Sequence, residues 1–241
     1  MVTKKIITIL VAVLLVSAAN ARAVTDKDFY SNGVIQHGDE YSNVGVYDTV
    51  GDHTIVDMTG GTVDSLCAHH ESIVNVGGGD IAMLRSRASS SVNVFGGSIY
   101  ELYADDRGTV HIWDNAHVDI LRTRSDSMTT VAGGTLGLIS ASRFGSVNLI
   151  GGLIYDYLAA GDSGIINIYG YHLTKIDTGG HYGSGFVSGE WLDKTAFNID
   201  LSGPGTYSRI IFHEIPEPAT VLLIVIGSVC LGKRRSMKEK T

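Results

Sequence analysis

Apolar positions return along residues 54–176 at a fixed long interval, not at a helical or a simple alternating period. Each copy opens with two apolar residues flanking one polar residue. The pairs are Val56 and Met58, Val74 and Val76, Val92 and Val94, Val110 and Ile112, Val147 and Leu149, and Ile166 and Ile168. In the fifth copy they are Thr129 and Val131. A small-residue turn follows: Gly60-Gly61, Gly78-Gly79, Gly96-Gly97, Gly133-Gly134 and Gly151-Gly152. Asp114-Asn115-Ala116 takes the turn where one copy lacks the pair, and Gly170-Tyr171 marks a seventh copy. Beyond the turn come two apolar residues three apart, as in Val63 and Leu66, Ile81 and Leu84, Ile99 and Leu102, Val118 and Leu121, Leu136 and Ile139, and Leu173 and Ile176. One copy keeps Ile154 but moves its partner to Leu158.

Alternation before the turn is the pattern of a strand with one buried face. The Gly pair permits positive φ at a tight corner. Helical solenoids repeat at about 33 residues or more, so a repeat of 18 or 19 suits one coil of a β-solenoid. The pattern predicts an all-β fold: a single-stranded parallel β-helix of about seven coils over residues 52–176. At roughly 4.8 Å per coil it is about 34 Å long. Three hexapeptides of a left-handed helix also fill 18 residues, but the apolar spacing is not a clean six, which favours the right-handed hand.

Other columns follow from the same register. Thr54, Ser72, Ser90, Gly108, Ser127, Gly145 and Gly164 form a second small-residue corner. Ala68, Ser86, Ala104, Thr123 and Ala141 form a small inner column. Asp57, Asn75, Asn93, His111, Thr130, Asn148 and Asn167 fall between the buried residues of each strand, and so form an outer polar ladder whose amides can bond from coil to coil. Arg87, Asp105 and Arg124 alternate in charge from coil to coil, as in an ion-pair ladder of individually weak contacts. Residues 24–51 read as an N-terminal cover or a degenerate coil, and residues 177–214 as a small antiparallel cap.

The two ends differ from the body. Lys4 and Lys5 precede an apolar run over residues 6–16, and Ala21-Arg22-Ala23 has the small-x-small form that signal peptidase accepts; residues 1–23 read as a cleaved signal. A second apolar run, residues 221–232, is shorter than the usual span of about 20 residues. Lys233, Arg234 and Arg235 follow it at once and hold that end on the cytoplasmic side. Immediately before it stand Pro216-Glu217-Pro218. Pro-Glu-Pro, a short apolar helix and a basic end, in that order, resemble the PEP-CTERM sorting signal over residues 215–241. The resemblance implies an exosortase-type processing protease as partner, a transient transmembrane helix, and delivery to the cell surface or its matrix. The cap resembles, more weakly, the closing segment of β-helical proteins of that family.

Composition sharpens this picture. With 44% apolar and 18% charged residues the chain is too hydrophobic for disorder, and its 30 Gly lack the collagen period. Residues 24–214 hold 10 Lys/Arg and 23 Asp/Glu, a net charge of −13. This argues against a nucleic-acid partner. It also predicts poor binding of acidic glycans unless divalent cations bridge them. Cys230 lies in the tail, which leaves Cys67 without a disulfide partner in the body.

Candidate chemistry is sparse. Cys67, His69, His70 and Glu71 are the one metal-like cluster, but neighbouring side chains at a corner diverge; no metal and no cofactor is expected, and Cys67 is expected to pack. Asp105-Asp106 beside Arg107 is the one adjacent acid pair, yet adjacent turn residues splay, and no long loop is inserted to wall a cleft. Tyr100, Tyr103, Trp113, Tyr155, Tyr157 and Tyr169 offer stacking faces for a glycan, with Tyr155 and Tyr157 read as alternate residues of one strand. Arg85, Arg87, Arg122 and Arg124 could hold an acidic polysaccharide, but their interleaving with Asp105 and Asp106 points to a neutralised ladder. The expectation is a non-enzymatic structural or adhesive β-solenoid of the bacterial envelope or exopolysaccharide matrix. The alternative is a carbohydrate-active β-helix enzyme, a polysaccharide lyase or hydrolase.

Overall fold

The computed structural model describes residues 24–49, 53–113 and 115–216. In chain order the strands are β1 (Thr25–Phe29), β2 (Gly33–Ile35), β3 (Glu40–Tyr47), β4 (Ile55–His69), β5 (Ile73–Ser86), β6 (Ser91–Val94), β7 (Ser98–Ala104), β8 (Thr109–Ile112), β9 (His117–Thr123), β10 (Met128–Val131), β11 (Thr135–Ala141), β12 (Ser146–Leu149), β13 (Leu153–Ile154), β14 (Tyr157–Ala160), β15 (Ile165–Ile176), β16 (Phe186–Glu190), β17 (Ala196–Ser202) and β18 (Ile210–Glu214). They wind into a β-solenoid of about eight turns, each coil hydrogen-bonded in parallel to the next.

The expected register holds. On one side Ile35, Met58, Val76, Val94, Ile112, Val131, Leu149 and Ile168 stack in a single column. On another, Val44, Leu66, Leu84, Leu102, Leu121, Ile139, Leu158 and Leu201 do the same. All sixteen are buried, and their continuous packing is the main source of stability. The three-residue step between Ile99 and Leu102 is a bend inside β7: both are buried, while Tyr100 between them is exposed. In the seventh coil an extra residue at this bend separates β13 from β14, which explains why the apolar partner of Ile154 falls at Leu158.

Both corners close against the coil before. The second Gly of each pair has positive φ; Gly97 sits at φ 85°, and a Cβ there would stand 2.8 Å from the carbonyl oxygen of Gly79. The other corner is a four-residue turn, in four coils with two consecutive residues of positive φ, as at Asp106-Arg107 and Arg143-Phe144. It is closed by Gly108 N–H donating to Asp105 O at 2.9 Å and Gly145 N–H to Ser142 O at 2.8 Å, the pattern of a type I′ turn. Ser72, Ser90 and Ser127 at this corner donate to the carbonyls of Val46, Ala68 and Ala104 in the coil before. The small column thus serves hydrogen bonding as well as space.

The ends depart from expectation in part. In residues 24–49, read from sequence as a cover or a degenerate coil, β2 and β3 lie in register on β4, and β1 lies on β3. At the other end β15 remains in the stack only through its first half. Its second half pairs antiparallel with β16, and β16 with β17. Leu173 and Ile176, expected as an inward pair, therefore belong to a hairpin, and Ile176 is exposed. The cap is not wholly antiparallel either. After the hairpin β17 lies parallel on β14 and β18 parallel on β15, so stacking resumes beyond residue 176. Parallel addition to the open coil edge satisfies backbone groups that a detached hairpin would leave unpaired.

Ile215 N–H donates to Gly170 O at 2.8 Å, and Pro216 follows as an exposed residue. The cleavage residues Ala21 and Ala23, the motif residues Glu217 and Pro218, the helix over 221–232 and the basic stop Lys233, Arg234 and Arg235 lie outside the described residues. Among the described residues no helix is long and apolar enough to cross a membrane.

Candidate functional site

The pleat that buries alternate residues turns the others outward, so the outer surface is made of columns one coil apart. The polar column forms two runs of side-chain bonds. Asn75 Nδ2 donates to Asp57 Oδ1 at 2.8 Å and Asn93 Nδ2 to Asn75 Oδ1 at 2.9 Å. Asn167 Nδ2 donates to Asn148 Oδ1 at 2.9 Å, and His213 Nε2 stands 3.1 Å from Asn167 Oδ1. His111 and Thr130 occupy the same column between the runs.

The second outer face carries the arginines. Arg85, Tyr103 and Arg122 are in register on β5, β7 and β9. The Tyr103 ring has the Arg85 guanidinium 5.0 Å from its centroid and that of Arg124 at 5.1 Å. Its hydroxyl donates to Glu101 Oε2 at 2.9 Å. Burial, then this bond, raises the Tyr103 pKa. Arg122 approaches Glu101 at 3.8 Å, Arg87 approaches Asp106 at 3.6 Å, and Arg124 binds Asp105 at 2.9 Å. The expected charge ladder is therefore present in altered form: Asp105 bonds to Arg124, while Arg87 finds Asp106. Among the described residues Arg85, Arg107 and Arg143 have no carboxylate within ion-pair distance, so neutralisation of the face is incomplete.

Asp105 is nearly buried, and burial pushes its carboxyl up. The hydrogen bond and charge of Arg124, helped by Ser125 and Arg87, outweigh burial and hold the pKa below the ordinary 3.8. It is thus a fixed carboxylate, and Asp106 serves another arginine; the adjacent acids do not converge. The Asp105 contribution to stability is complete above pH 3.8 and is lost as pH falls through the lower folded value. Arg124→Gln should cost about 1–2 kcal/mol at pH 7. The melting gap between variant and parent should shrink below pH 3.8; a gap constant with pH would mean that the pair contributes packing only.

The sequence cluster Cys67, His69, His70 and Glu71 is not brought together as one site. Cys67 faces outward, half-buried, between Gly45 and Arg85 in register, rather than packing in the core; burial raises its thiol pKa. His69 stacks on Tyr47 at 4.7 Å, and Tyr47 on Tyr30 at 5.3 Å. Glu71 joins a group that sequence reading missed. His53 Nδ1 lies 3.5 Å from Asp48 Oδ2 and 3.8 Å from Glu71 Oε2, with one ligand atom from each within 4.8 Å of the others. The available signal was the one-coil interval between His53 and Glu71.

Most of the candidate stacking rings are engaged within the molecule. Trp113 stacks on Phe95 at 6.1 Å, Tyr157 meets Tyr182 edge-on at 4.4 Å and Tyr169 stacks on His213 at 4.3 Å. Tyr155 and Tyr157 do not share a strand, because Tyr155 falls in the break before β14. Tyr155 crosses over Gly137 and donates to Asp119 Oδ1 at 2.7 Å. That bond, before burial, pushes its pKa up to about 12. Tyr100 remains exposed.

A cavity of about 660 Å³ lies between the Gly corners of the sixth and seventh coils and the β16–β17 hairpin, with Leu153, Ile154, Trp191 and Phe197 in its wall. Trp191 stacks on Phe197 at 4.0 Å. This space arises from the cap, and the repeat alone gave no sign of it.

Fold and faces together define a β-solenoid with laddered outer surfaces. Comparison with protein-family models, with curated proteins and with solved structures finds no match.

Proposed function

We propose that this protein is a secreted structural or adhesive β-solenoid of the bacterial envelope or exopolysaccharide matrix. In this reading signal peptidase removes residues 1–23, and an exosortase-type protease acts on the tail around Pro216, Glu217 and Pro218. The observation that carries the reading is the coil-by-coil register of the outward columns, with successive coils joined by short corners. Such a surface presents many equivalent weak contacts to a long polymer, and those contacts gain by avidity when several engage at once. The coil-to-coil bonding supports a rigid rod. The alternative lyase or hydrolase would need convergent acid and base groups. Asp105, committed to Arg124, is poorly placed for either role.

The test uses the full chain, expressed in a host with an exosortase system. The protein should fractionate with the surface polysaccharide. After purification in mild detergent it should leave the chain length of neutral and acidic polysaccharides unchanged. Shortening of a polymer, abolished by Asp105→Asn with Asp106→Asn, would replace this reading with the enzyme.

A further inference from the structure

The body's net charge of −13 predicts poor binding of acidic glycans, but that expectation takes the charge as uniform, and the cations are not spread evenly. Six of the ten Lys/Arg in residues 24–214 are arginines of the third to sixth coils: Arg85 and Arg87, then Arg107, then Arg122 and Arg124, then Arg143. Register places Arg85 and Arg122 in one column with Tyr103 between them. Arg107 and Arg143 belong to the type I′ corners that border this face. Each of four successive coils therefore carries at least one arginine on this face or at the corner that borders it, at intervals set by the strand spacing of about 4.8 Å.

We propose that this arginine face binds a linear acidic polysaccharide bearing a carboxylate on each sugar, laid along the solenoid axis. The proposal rests on the surface-matrix reading above and names the ligand class for it. Three features support it. First, Arg85, Arg107 and Arg143 have no carboxylate partner among the described residues, so they can bind a new anion without breaking an existing pair. Second, the guanidiniums are held in place. Tyr103 faces both Arg85 and Arg124, and the Nε atoms of Arg85, Arg122 and Arg124 are covered from solvent without hydrogen-bond partners. One Nη of Arg85 contacts Met83 Sδ at 3.6 Å, and Arg122 and Arg124 each turn one Nη to Glu101 or Asp105, so these forks are oriented on one side and only their remaining N–H groups can donate to a new carboxylate. Third, Glu101, Asp105 and Asp106 stand among the arginines as acceptors. That mixture suits a polymer with both carboxylates and hydroxyls. Any polyanion meets repulsion from these acids and from the rest of the body; a polyphosphate, with denser charge and fewer donors, meets more of it than a polymer with one carboxylate per sugar.

The test measures binding of the detergent-solubilised full chain to polygalacturonate, to the same polymer with its carboxyls reduced, and to double-stranded DNA. EDTA is present throughout, so that calcium cannot bridge. The variant is Arg85→Gln, Arg107→Gln and Arg143→Gln combined; none of the three has an ion pair whose loss would unfold the chain, and a melting curve checks this. Polygalacturonate should bind with an affinity that falls as salt rises. The triple variant should bind at least tenfold more weakly, with a salt slope smaller by about two, from roughly 0.7 counterions per lost contact. The reduced polymer should not bind. Equal binding by variant and parent, binding of the reduced polymer, no binding of polygalacturonate at low salt, or tighter binding of DNA would each overturn the proposal. A shortened polymer would instead overturn the structural reading on which it rests, so the two failures are distinguishable.

Discussion

Val94→Asp should lower stability by at least about 4 kcal/mol. In a chain of this size that corresponds to a fall in melting temperature of roughly 8–16 °C. Val94 is wholly buried, and it stacks between Val76 and Ile112 in the middle of the solenoid. A carboxylate there would have apolar neighbours in its own column and no cation to pair with. Asn93→Ala, one residue away, is the control. Asn93 faces outward and donates to Asn75 Oδ1, so its loss should cost only about 1 kcal/mol. Far-UV circular dichroism melts of both variants check the difference. If Val94→Asp melted with the parent, the strand would be turned by one residue and every assignment of inner and outer columns would fail.

Glu217→Ala should abolish maturation, leaving an unprocessed species in the membrane fraction of a host with an exosortase system. The motivation is the order Pro216-Glu217-Pro218, apolar run, basic end. Pro216 and Pro218 bias their neighbours to extended backbone, the geometry a protease cleft accepts. Structure supplies a complementary fact: Ile215 is tied to Gly170, and Pro216 is exposed directly after it. The motif thus begins where the stack lets go of the chain. Removal of residues 233–240 should impair topology instead, because the cations that retain the end are gone. Mass spectrometry of the cell-surface protein separates the outcomes. Normal cleavage and delivery of both variants would remove the basis for the sorting assignment.

The periodic part of the fold was legible in the sequence because every coil faces the same constraint. An inward position must be apolar or small, a corner must accept positive φ or close backbone approach, and each coil repeats this about 18 residues later. Val76, Val94 and Ile112 could therefore be placed in one column, and Asn75 beside Asn93, before any coordinates. The position of Asp105 and Asp106 as neighbours in a turn also predicted that they would diverge. The repeat gave the wrong place to Leu173 and Ile176, because their spacing fits a coil, while this stretch pairs with β16 as a hairpin and β17 and β18 take the next stacking positions. Whether residues 171–202 continue winding or fold back as a hairpin depends on which edges remain unpaired, and that is a property of the assembled stack. The same holds for the surface groups. The link from Tyr155 to Asp119 requires Gly137 between them to leave the space, and the meeting of Asp48, His53 and Glu71 depends on the path of the chain between coils. Within the coils sequence alone determined which columns face in, because burial is decided strand by strand through a period of two; Cys67 and the pair of Leu173 and Ile176 escaped it. Tertiary structure decided which outward charges find partners, because Arg124 with Asp105, Arg87 with Asp106, and Arg85 with the Tyr103 ring are choices made by side-chain reach across coils, to which a linear repeat is blind.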